Sequence, residues 1–168
     1  DASEAFGLRA VRGEVTCYAH ATDMTETALK RAGETARLAV GDGGATLAVP
    51  PARTNTKLYT DTDPIAGHSF PVKLDTLRSI DAFARDLDPR VVQVSATLSA
   101  AHQEVVLLRP DGTEVSDTRP MTRLNVSVSV EEGGRREAGS AGGGGRVGIH
   151  GLIEAPDWQG KTREALRI

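Results

Sequence analysis

Five side chains in this sequence are of the types that bind transition metals: one cysteine and four histidines. Cys17 and His20 are three residues apart, but a closed zinc site takes four ligands. His68, His102 and His150 stand alone in the sequence. The pattern therefore predicts no metal site. We expect Cys17 to pack in a strand as a small hydrophobic side chain, with His20 partly exposed beside it.

Two segments rich in small residues imitate catalytic motifs. Ser140 lies in Ala138–Gly142, which resembles a nucleophile elbow, but that motif requires glycine at position 138. Gly143–Gly148 matches the letters of G-x-G-x-x-G. A phosphate site also needs a helix that begins directly after the glycines, and Val147–Gly151 is not a helix start. We therefore predict neither a nucleophilic serine nor a nucleotide site.

The glycines have a different predicted role, which is contact through the main chain. We predict a glycine-rich loop over residues 133–148, where glycine permits positive φ and close approach of another backbone. Placed after a strand that can lie at a sheet edge, such a loop suits main-chain hydrogen bonds to an extended peptide or a partner subunit. A disordered loop is the alternative. The candidate substrate or interface contacts are Arg123, Arg135, Arg136, Glu137, Gly143, Gly144, Gly145 and Arg146.

The charged residues at the start of this loop have two interpretations. Arg135 and Arg136, followed by Glu137, could form a pair that binds carboxylates. They could also be a solvated charge run, since exposed ion pairs contribute little to stability.

The first half of the chain is predicted to supply a hairpin and two helices. Alternating side chains indicate a short hairpin over Gly7–Ala21. Asp23–Val40 follows as a helix, with its first residue as the N-cap. Residues 41–69 have no periodicity and are predicted to form a long surface connection. Pro71–Leu87 is predicted as an amphipathic helix that Ser69 can cap.

Alternation in the second half predicts antiparallel strands. The side chains expected to face the core from the first strand are Val92, Val94, Ala96 and Leu98. Glu104–Arg109 is expected to pair with Glu114–Asp117 across a turn at Pro110–Thr113. Strict alternation in Leu124–Val130 indicates a sheet with one wet face. We therefore predict the α+β class, with an antiparallel, largely meandering sheet and two main helices packed on one face.

Composition and charge exclude several classes of function. The formal net charge is −3 and the pI is near 5.8, whereas general nucleic-acid binding needs a basic surplus to displace counterions. No run approaches the ~18 apolar residues that a membrane span needs. A lone cysteine predicts a reducing compartment. The chain begins close to a strand-like run and ends in a helix-like one, so we expect a piece of a larger cytoplasmic protein.

Several blocks of the sequence resemble the TldD branch of the TldD/PmbA (TldE) family, once labelled modulators of DNA gyrase. The blocks, in chain order, are Leu58–Ile65, Arg90–Ser99, Asp117–Pro120, Gly134–Gly139 and Gly142–Gly148. The resemblance covers nearly the whole chain. The combination of Arg135–Glu137 with the glycine-rich block favours TldD over its PmbA partner.

The resemblance implies a function as well as a fold. It implies that residues 1–150 are part of the family's N-terminal α+β domain, and that 151–168 begin the connection toward a catalytic domain. The family's members are bacterial, cytoplasmic zinc metallopeptidases that act on unfolded peptides as TldD–TldE heterodimers. Their H-E-x-x-x-H zinc motif lies C-terminal to everything present here. The resemblance therefore implies no catalytic residue, metal ligand or cofactor in this chain, and zinc only in the parent protein.

Other functions remain open at this point. The chain could be a stand-alone protein- or peptide-binding module, or it could have the gyrase-modulating role of the family's old label. It could also form a homodimer through unpaired strand edges. We expect no membrane partner and no direct nucleic-acid binding.

Overall fold

The computed structural model describes residues 2–41 and 59–167 of the chain. The chain divides into two compact units, Asp1–Ala52 and Arg53–Ile168. Most of the predicted long connection over 41–69 falls on residues 42–58, outside the described residues. Its described end, from Tyr59 to Ser69, contains turns and bends but no helix or strand.

The first unit contains a two-stranded antiparallel hairpin and a helix. Strand β1 (Phe6–Arg12) pairs with β2 (Val15–Ala21), and Gly13 between them has a φ of 58°. This confirms the predicted hairpin. Helix α1 (Glu26–Val40) follows and buries small alanine side chains. The Arg12 guanidinium donates to the carbonyl of Val40 at 3.2 Å and so connects the hairpin to the end of the helix.

The N-cap of α1 is Thr25, and the prediction that Asp23 caps the helix is wrong. The Thr25 hydroxyl accepts a hydrogen bond from the Ala28 amide at 3.3 Å. The carboxylate of Asp23 instead accepts from the Thr25 amide at 3.1 Å. An aspartate that bonds the amide two residues later forms a turn of its own, and this turn leads the chain into the threonine cap.

In its described residues, 59–167, the second unit contains three long strands and three helices. These are α2 (Phe70–Leu87), β3 (Val91–Leu108), β4 (Glu114–Glu132), β5 (Arg135–Gly145), α3 (His150–Ile153) and α4 (Ala155–Ala165). Helix α2 begins after Ser69 with proline in its first turn, as the sequence predicts, although the Ser69 side chain makes no capping hydrogen bond. No helix in the described part of the chain is long and apolar enough to cross a membrane.

The three strands form an antiparallel meander in the order β3-β4-β5. The predicted turn at Pro110–Thr113 joins β3 to β4, with Gly112 at a φ of 82°. Gly133 and Gly134 make the second turn at φ values of 60° and 80°. The pairing of β4 with β5 ends at Thr122↔Gly145. Beyond that row, β3 and β4 continue as a two-stranded arm, from Ala101↔Met121 to Leu108↔Glu114.

The predicted glycine-rich loop over 133–148 is wrong for residues 135–145, which form β5. This strand contains four consecutive glycines, Gly142–Gly145, and no β-branched residue. Strand propensity mostly reflects packing and pairing with neighbours. Here the exposed edge of β4, a strongly alternating strand, pairs with the segment and holds it extended.

The predicted inward alternation is confirmed in β4, where Leu124, Val126 and Val128 are buried. The expectation for Val92 is wrong: it is 45% exposed, and Val91 is buried in its place. A bulge between Val91 and Gln93 shifts the register by one residue, and an extra residue in one strand reverses which side chains face inward.

The core of the second unit lies between the sheet and the helices α2 and α4. It combines Ile80 and Ala84 of α2 with the inward residues of β4 and with Trp158 of α4. The Phe83 and Trp158 rings meet edge to face, with centroids 5.5 Å apart. The α+β class and the antiparallel meander are therefore confirmed. The helix that shares this sheet face with α2 is α4, whereas α1 packs on the β1–β2 hairpin.

Candidate functional site on the outer face of the sheet

One face of the three-stranded sheet packs on helices, and the other, here called the outer face, exposes mainly polar side chains. Strand register places these residues in transverse rows, because opposed residues in adjacent strands project to the same side. One row is Ser95–Ser127–Ser140, and the next is Thr97–Asn125–Gly142. The row after that is Ser99–Arg123–Gly144.

A shallow depression of about 290 Å³ lies on this outer face and is named here the polar depression. Its polar lining comes from all three strands: Ser95, Thr97, Arg123, Asn125, Ser127 and Ser140, with Gly142 at the edge. On the central strand β4, Asn125 and Ser127 are half-buried and Arg123 is exposed, and the lining side chains on β3 and β5 are exposed. The hydroxyl groups can both donate and accept hydrogen bonds, so the surface is suited to polar ligands.

Arg123 is the charged residue of the polar depression. Its Nε donates a hydrogen bond to Oδ1 of Asn125 at 3.0 Å. Among the residues that the structure describes, no carboxylate lies within ion-pair distance of its guanidinium group. A guanidinium has five N–H donors in a fixed fork, so the donors of both Nη atoms remain available to a ligand.

Gly142 and Gly144 allow the close contacts around Arg123. A Cβ atom at Gly142 would lie 2.3 Å from Oδ1 of Asn125, the atom that accepts from Arg123. A Cβ atom at Gly144 would lie 2.0 Å from the carbonyl oxygen of Thr122. Glycine at both positions therefore gives room to the amide of Asn125 and to the β4 backbone.

Arg136 and Arg135 lie near the opposite end of β5 and have other partners. Nη2 of Arg136 donates to Oε1 of Gln93 at 2.5 Å, which connects β5 to β3 across β4. Arg135 forms an ion pair with Glu137 in which both side chains are exposed. The contacts of Arg135 and Glu137 match the interpretation of a solvated charge pair, whereas Arg136 has an amide partner.

The remaining predicted contact residues have surroundings different from those of Arg123. Gly143 faces the helices, where an added Cβ would lie 2.8 Å from Cε of Lys161 on α4. Gly145 closes the pairing with Thr122. The guanidinium carbon of Arg146 lies 4.9 Å from the centre of the Tyr59 ring. The structure therefore brings Arg123 together with Gly144 and places the other candidates elsewhere.

The serine row and Asn125 also line the polar depression, although no sequence motif singles them out. Asn125 and Ser127 are outward residues of the alternation in Leu124–Val130, and Ser95 is an outward residue of the first predicted strand; these patterns indicate a wet face and not a site. Their partners on β5 could not be assigned from sequence, because that segment was predicted to be a loop.

A zinc ion, which the family resemblance implies for the parent protein, does not fit the described residues. In the ranges 2–41 and 59–167, no three side chains of histidine, cysteine, aspartate or glutamate form a group that could hold a metal. His68 and His150 do meet, but their rings stack with centroids 5.6 Å apart. Nε2 of His150 lies 2.7 Å from Oε1 of Glu154. This histidine pair joins distant parts of the sequence, so spacing could not reveal it.

Arg90, Asp88 and Glu132 form a charged cluster with a structural role. Arg90 donates hydrogen bonds to Asp88 through its side chain and its backbone, and these lower the pKa of the Asp88 carboxyl from 3.8 to about 2. Arg90 also donates to Glu132 at 2.7 Å, and both carboxylates raise the pKa of its guanidinium. The three residues tie the end of α2 to the end of β4.

The second unit thus defines a class of protein: an α+β domain with a helix-covered antiparallel meander and a polar outer face. The model of the PmbA/TldA metallopeptidase central domain matches residues 63–168, which include all of its helices and strands. That match covers more than half of the chain. The chain belongs to the PmbA/TldD metallopeptidase family.

Two curated relatives are similar to this chain. The metalloprotease TldD homolog of Haemophilus influenzae is 36% identical over 154 residues, which cover 90% of this chain and 32% of that protein. The homolog from Buchnera aphidicola subsp. Acyrthosiphon pisum is 32% identical over 169 residues, covering 96% of this chain and 35% of that protein. The chain spans about a third of the length of these relatives.

A solved structure shows the same fold. It is the crystal structure of a Thermotoga maritima protein named as a modulator of a DNA gyrase. The TM-score is 0.72 at 13% sequence identity, and the match covers 98% of this chain and 37% of that one. At this identity the likeness concerns the fold alone.

Proposed function

We propose that this chain is a non-catalytic portion of a TldD-like zinc metallopeptidase, and that its three-stranded sheet contributes a peptide-contacting wall. The observation that carries the proposal is the family match over residues 63–168. In the described residues the matched segment forms a sheet with a polar outer face and gathers no set of zinc ligands. The zinc-binding residues are supplied by a part of the parent protein outside this chain.

The peptide-contact role agrees with the architecture of the second unit. Helices α2 and α4 cover one face of the sheet, so among the described residues the outer face and the outer edges of β3 and β5 are the surfaces that remain for a ligand. An extended chain can add to a free strand edge through main-chain hydrogen bonds. The parent protein acts on unfolded peptides in the cytoplasm, and its partner is a TldE/PmbA-like subunit.

The experiment is a paired measurement of metal content and peptide cleavage on the purified chain. We expect substoichiometric zinc and no turnover of an unfolded peptide, because no described residues can bind zinc and lower the pKa of its water. A full-length relative, prepared and zinc-loaded in the same way, serves as the control for the assay. Stoichiometric zinc together with turnover by this chain alone would contradict the proposal.

A stand-alone peptide-binding module is the second candidate, and the polar depression around Arg123 favours it. The two functions differ in the parent reading frame. Continuation past Ile168 into an H-E-x-x-x-H motif supports the peptidase, and a stop codon directly after Ile168 supports the module.

A further inference from the structure

We propose that the polar depression binds a side-chain carboxylate of an extended peptide, with Arg123 as the carboxylate-binding residue. This inference goes beyond the proposed function, because it assigns a preference for negatively charged side chains to a surface that can bind a peptide without zinc. It is carried by the pairing of charges, the geometry around Arg123 and the shape of the outer face.

Charge complementarity favours a carboxylate as the ligand of Arg123. Three other arginines in or next to this sheet pair with carboxylates: Arg119 with Asp117 at 2.6 Å, Arg135 with Glu137, and Arg90, just before β3, with Glu132. Arg136, at the far end of β5, has the amide of Gln93 as its partner. In the described residues Arg123 has an amide partner instead, although acidic residues outnumber basic ones in the chain, 23 to 20. The three rows around it contain hydroxyl, amide and glycine residues and no acid.

Arg123 is held in position by a neighbouring side chain. Asn125 accepts from its Nε, which fixes the plane of the guanidinium and leaves its two Nη groups free for a two-point contact. Such a forked pair of parallel N–H···O bonds is the preferred geometry between arginine and a carboxylate. Gly142 makes room for the Asn125 side chain. Asn125 on β4 and Gly142 on β5 therefore favour one orientation of Arg123.

The length of the polar depression suits an extended peptide. From Arg123 to Ser127 the depression extends along β4 for about 13 Å, at about 3.3 Å per residue, which matches roughly four residues of an extended peptide. The serine row crosses the depression with three hydroxyls that can bond peptide N–H and C=O groups. The sheet continues past Arg123 into the arm, so a bound chain can pass over this residue. An internal aspartate or glutamate suits this open surface better than a chain terminus.

The competing ligand class is a nucleic acid, whose phosphates also attract arginine. Its affinity depends on many basic contacts along the backbone. The polar depression has one such residue in a chain with a net charge of −3. A single oriented guanidinium surrounded by hydroxyls favours one carboxylate within a peptide.

The test is fluorescence anisotropy with a labelled peptide of serine, glycine and alanine that contains one central glutamate and has a capped, amidated C-terminus. We expect saturable binding that falls at least tenfold when the glutamate is replaced by glutamine. It should also fall at least tenfold in Arg123→Gln, because a hydrogen bond between two charged groups is lost. Arg119→Gln is the matched control: it removes the same charge from the same face and strand, but from an arginine that already has a carboxylate partner.

Each outcome of this test decides the proposal. Equal losses in Arg123→Gln and Arg119→Gln would show non-specific attraction and overturn it. Binding that requires a free C-terminal carboxylate, or binding of an oligonucleotide with equal strength, would also overturn it. An unchanged urea midpoint for Arg123→Gln shows that the variant is folded. If it does not fold, amide NMR of the unmodified chain replaces it, and shifts at Asn125, Ser127 and Ser140 on adding peptide support the site, whereas their absence overturns it.

Because the readout is binding, failure of this site leaves the peptidase proposal intact. Conversely, zinc-dependent turnover by the chain alone would contradict the proposed function without affecting the result at Arg123.

Discussion

Gly144 and Gly145 are neighbours in β5, yet a methyl group added to each would meet different surroundings. At Gly144 the new Cβ would lie 2.0 Å from the carbonyl oxygen of Thr122 and 2.7 Å from Cα of Arg123, and both are main-chain atoms of β4. At Gly145 it would meet no atom within 4 Å. We therefore expect Gly144→Ala to destabilise the sheet and Gly145→Ala to leave it intact.

The size of the effect follows from these contacts. Non-bonded heavy atoms rest at about 3.5 Å or more, so β5 has to move away from β4 by more than an ångström at its end. Overpacking of this kind costs about 1–3 kcal/mol. Alanine also lowers the conformational entropy of the unfolded chain relative to glycine, and this offsets about 0.4–1 kcal/mol of the cost. Taking the middle of each range, the net loss for Gly144→Ala is about 1–2 kcal/mol, whereas Gly145→Ala is neutral or slightly stabilising.

Trp158 provides the assay. It is the single tryptophan of the chain, is 8% exposed and belongs to the core of the same unit as β5. Its fluorescence during urea unfolding should report that unit. With a urea dependence of about 2 kcal/mol per molar, Gly144→Ala should lower the midpoint by roughly 0.5–1 M. Equal midpoints for the two variants, or a lower one for Gly145→Ala, would refute the reasoning from close approach.

Three further predictions concern stability. Leu124→Ala empties a fully buried position and should lower the free energy of unfolding by about 2–5 kcal/mol. Leu107→Ala, at a position 57% exposed, should change it by less than about 0.5 kcal/mol. Similar urea midpoints for the two variants would contradict this. Thr25→Ala removes the cap of α1 and should destabilise its unit by about 1 kcal/mol, seen as a lower thermal midpoint in far-ultraviolet circular dichroism; an unchanged midpoint would argue against the cap. Since the folded-state pKa of Asp88 is lowered from 3.8 to about 2, its stabilisation is present above pH 3.8 and is lost as the pH falls toward 2. Asp88→Asn should therefore be less stable than the unmodified chain at neutral pH, with the difference shrinking across that window in urea titrations, and a constant difference would contradict the assigned cause.

The parts of the fold that the sequence predicts well are those whose local patterns agree with their final environment. Helix α2 has proline in its first turn and an apolar stripe that meets the sheet. In β4 strict alternation places Leu124, Val126 and Val128 in the core. For these elements propensity, periodicity and burial all favour the same structure, so a local reading suffices.

The parts that it does not predict depend on partners distant in sequence. Residues 135–145 are a strand because β4 pairs with them, and their small side chains suit the packing of α4 on the inner side. The bulge at Val91–Gln93 changes which valine is buried, and nothing in the alternation indicates an inserted residue. For the same reason the site was found only in part: Arg123 was selected for its charge, but its position beside Asn125 and Gly142 depends on the pairing of β5.

The order of the strands also has a consequence for how the second unit folds. Each strand pairs with its neighbour in sequence, and such local pairings lower the contact order and favour fast folding. Hairpins of this kind form in about 1–10 μs, so β3, β4 and β5 can assemble one after another from the two turns. The ring of Trp158, in contrast, reaches Phe83 only when α4 closes on α2. Burial of this tryptophan is therefore expected to be a late event, with a meander already formed when the last helix arrives.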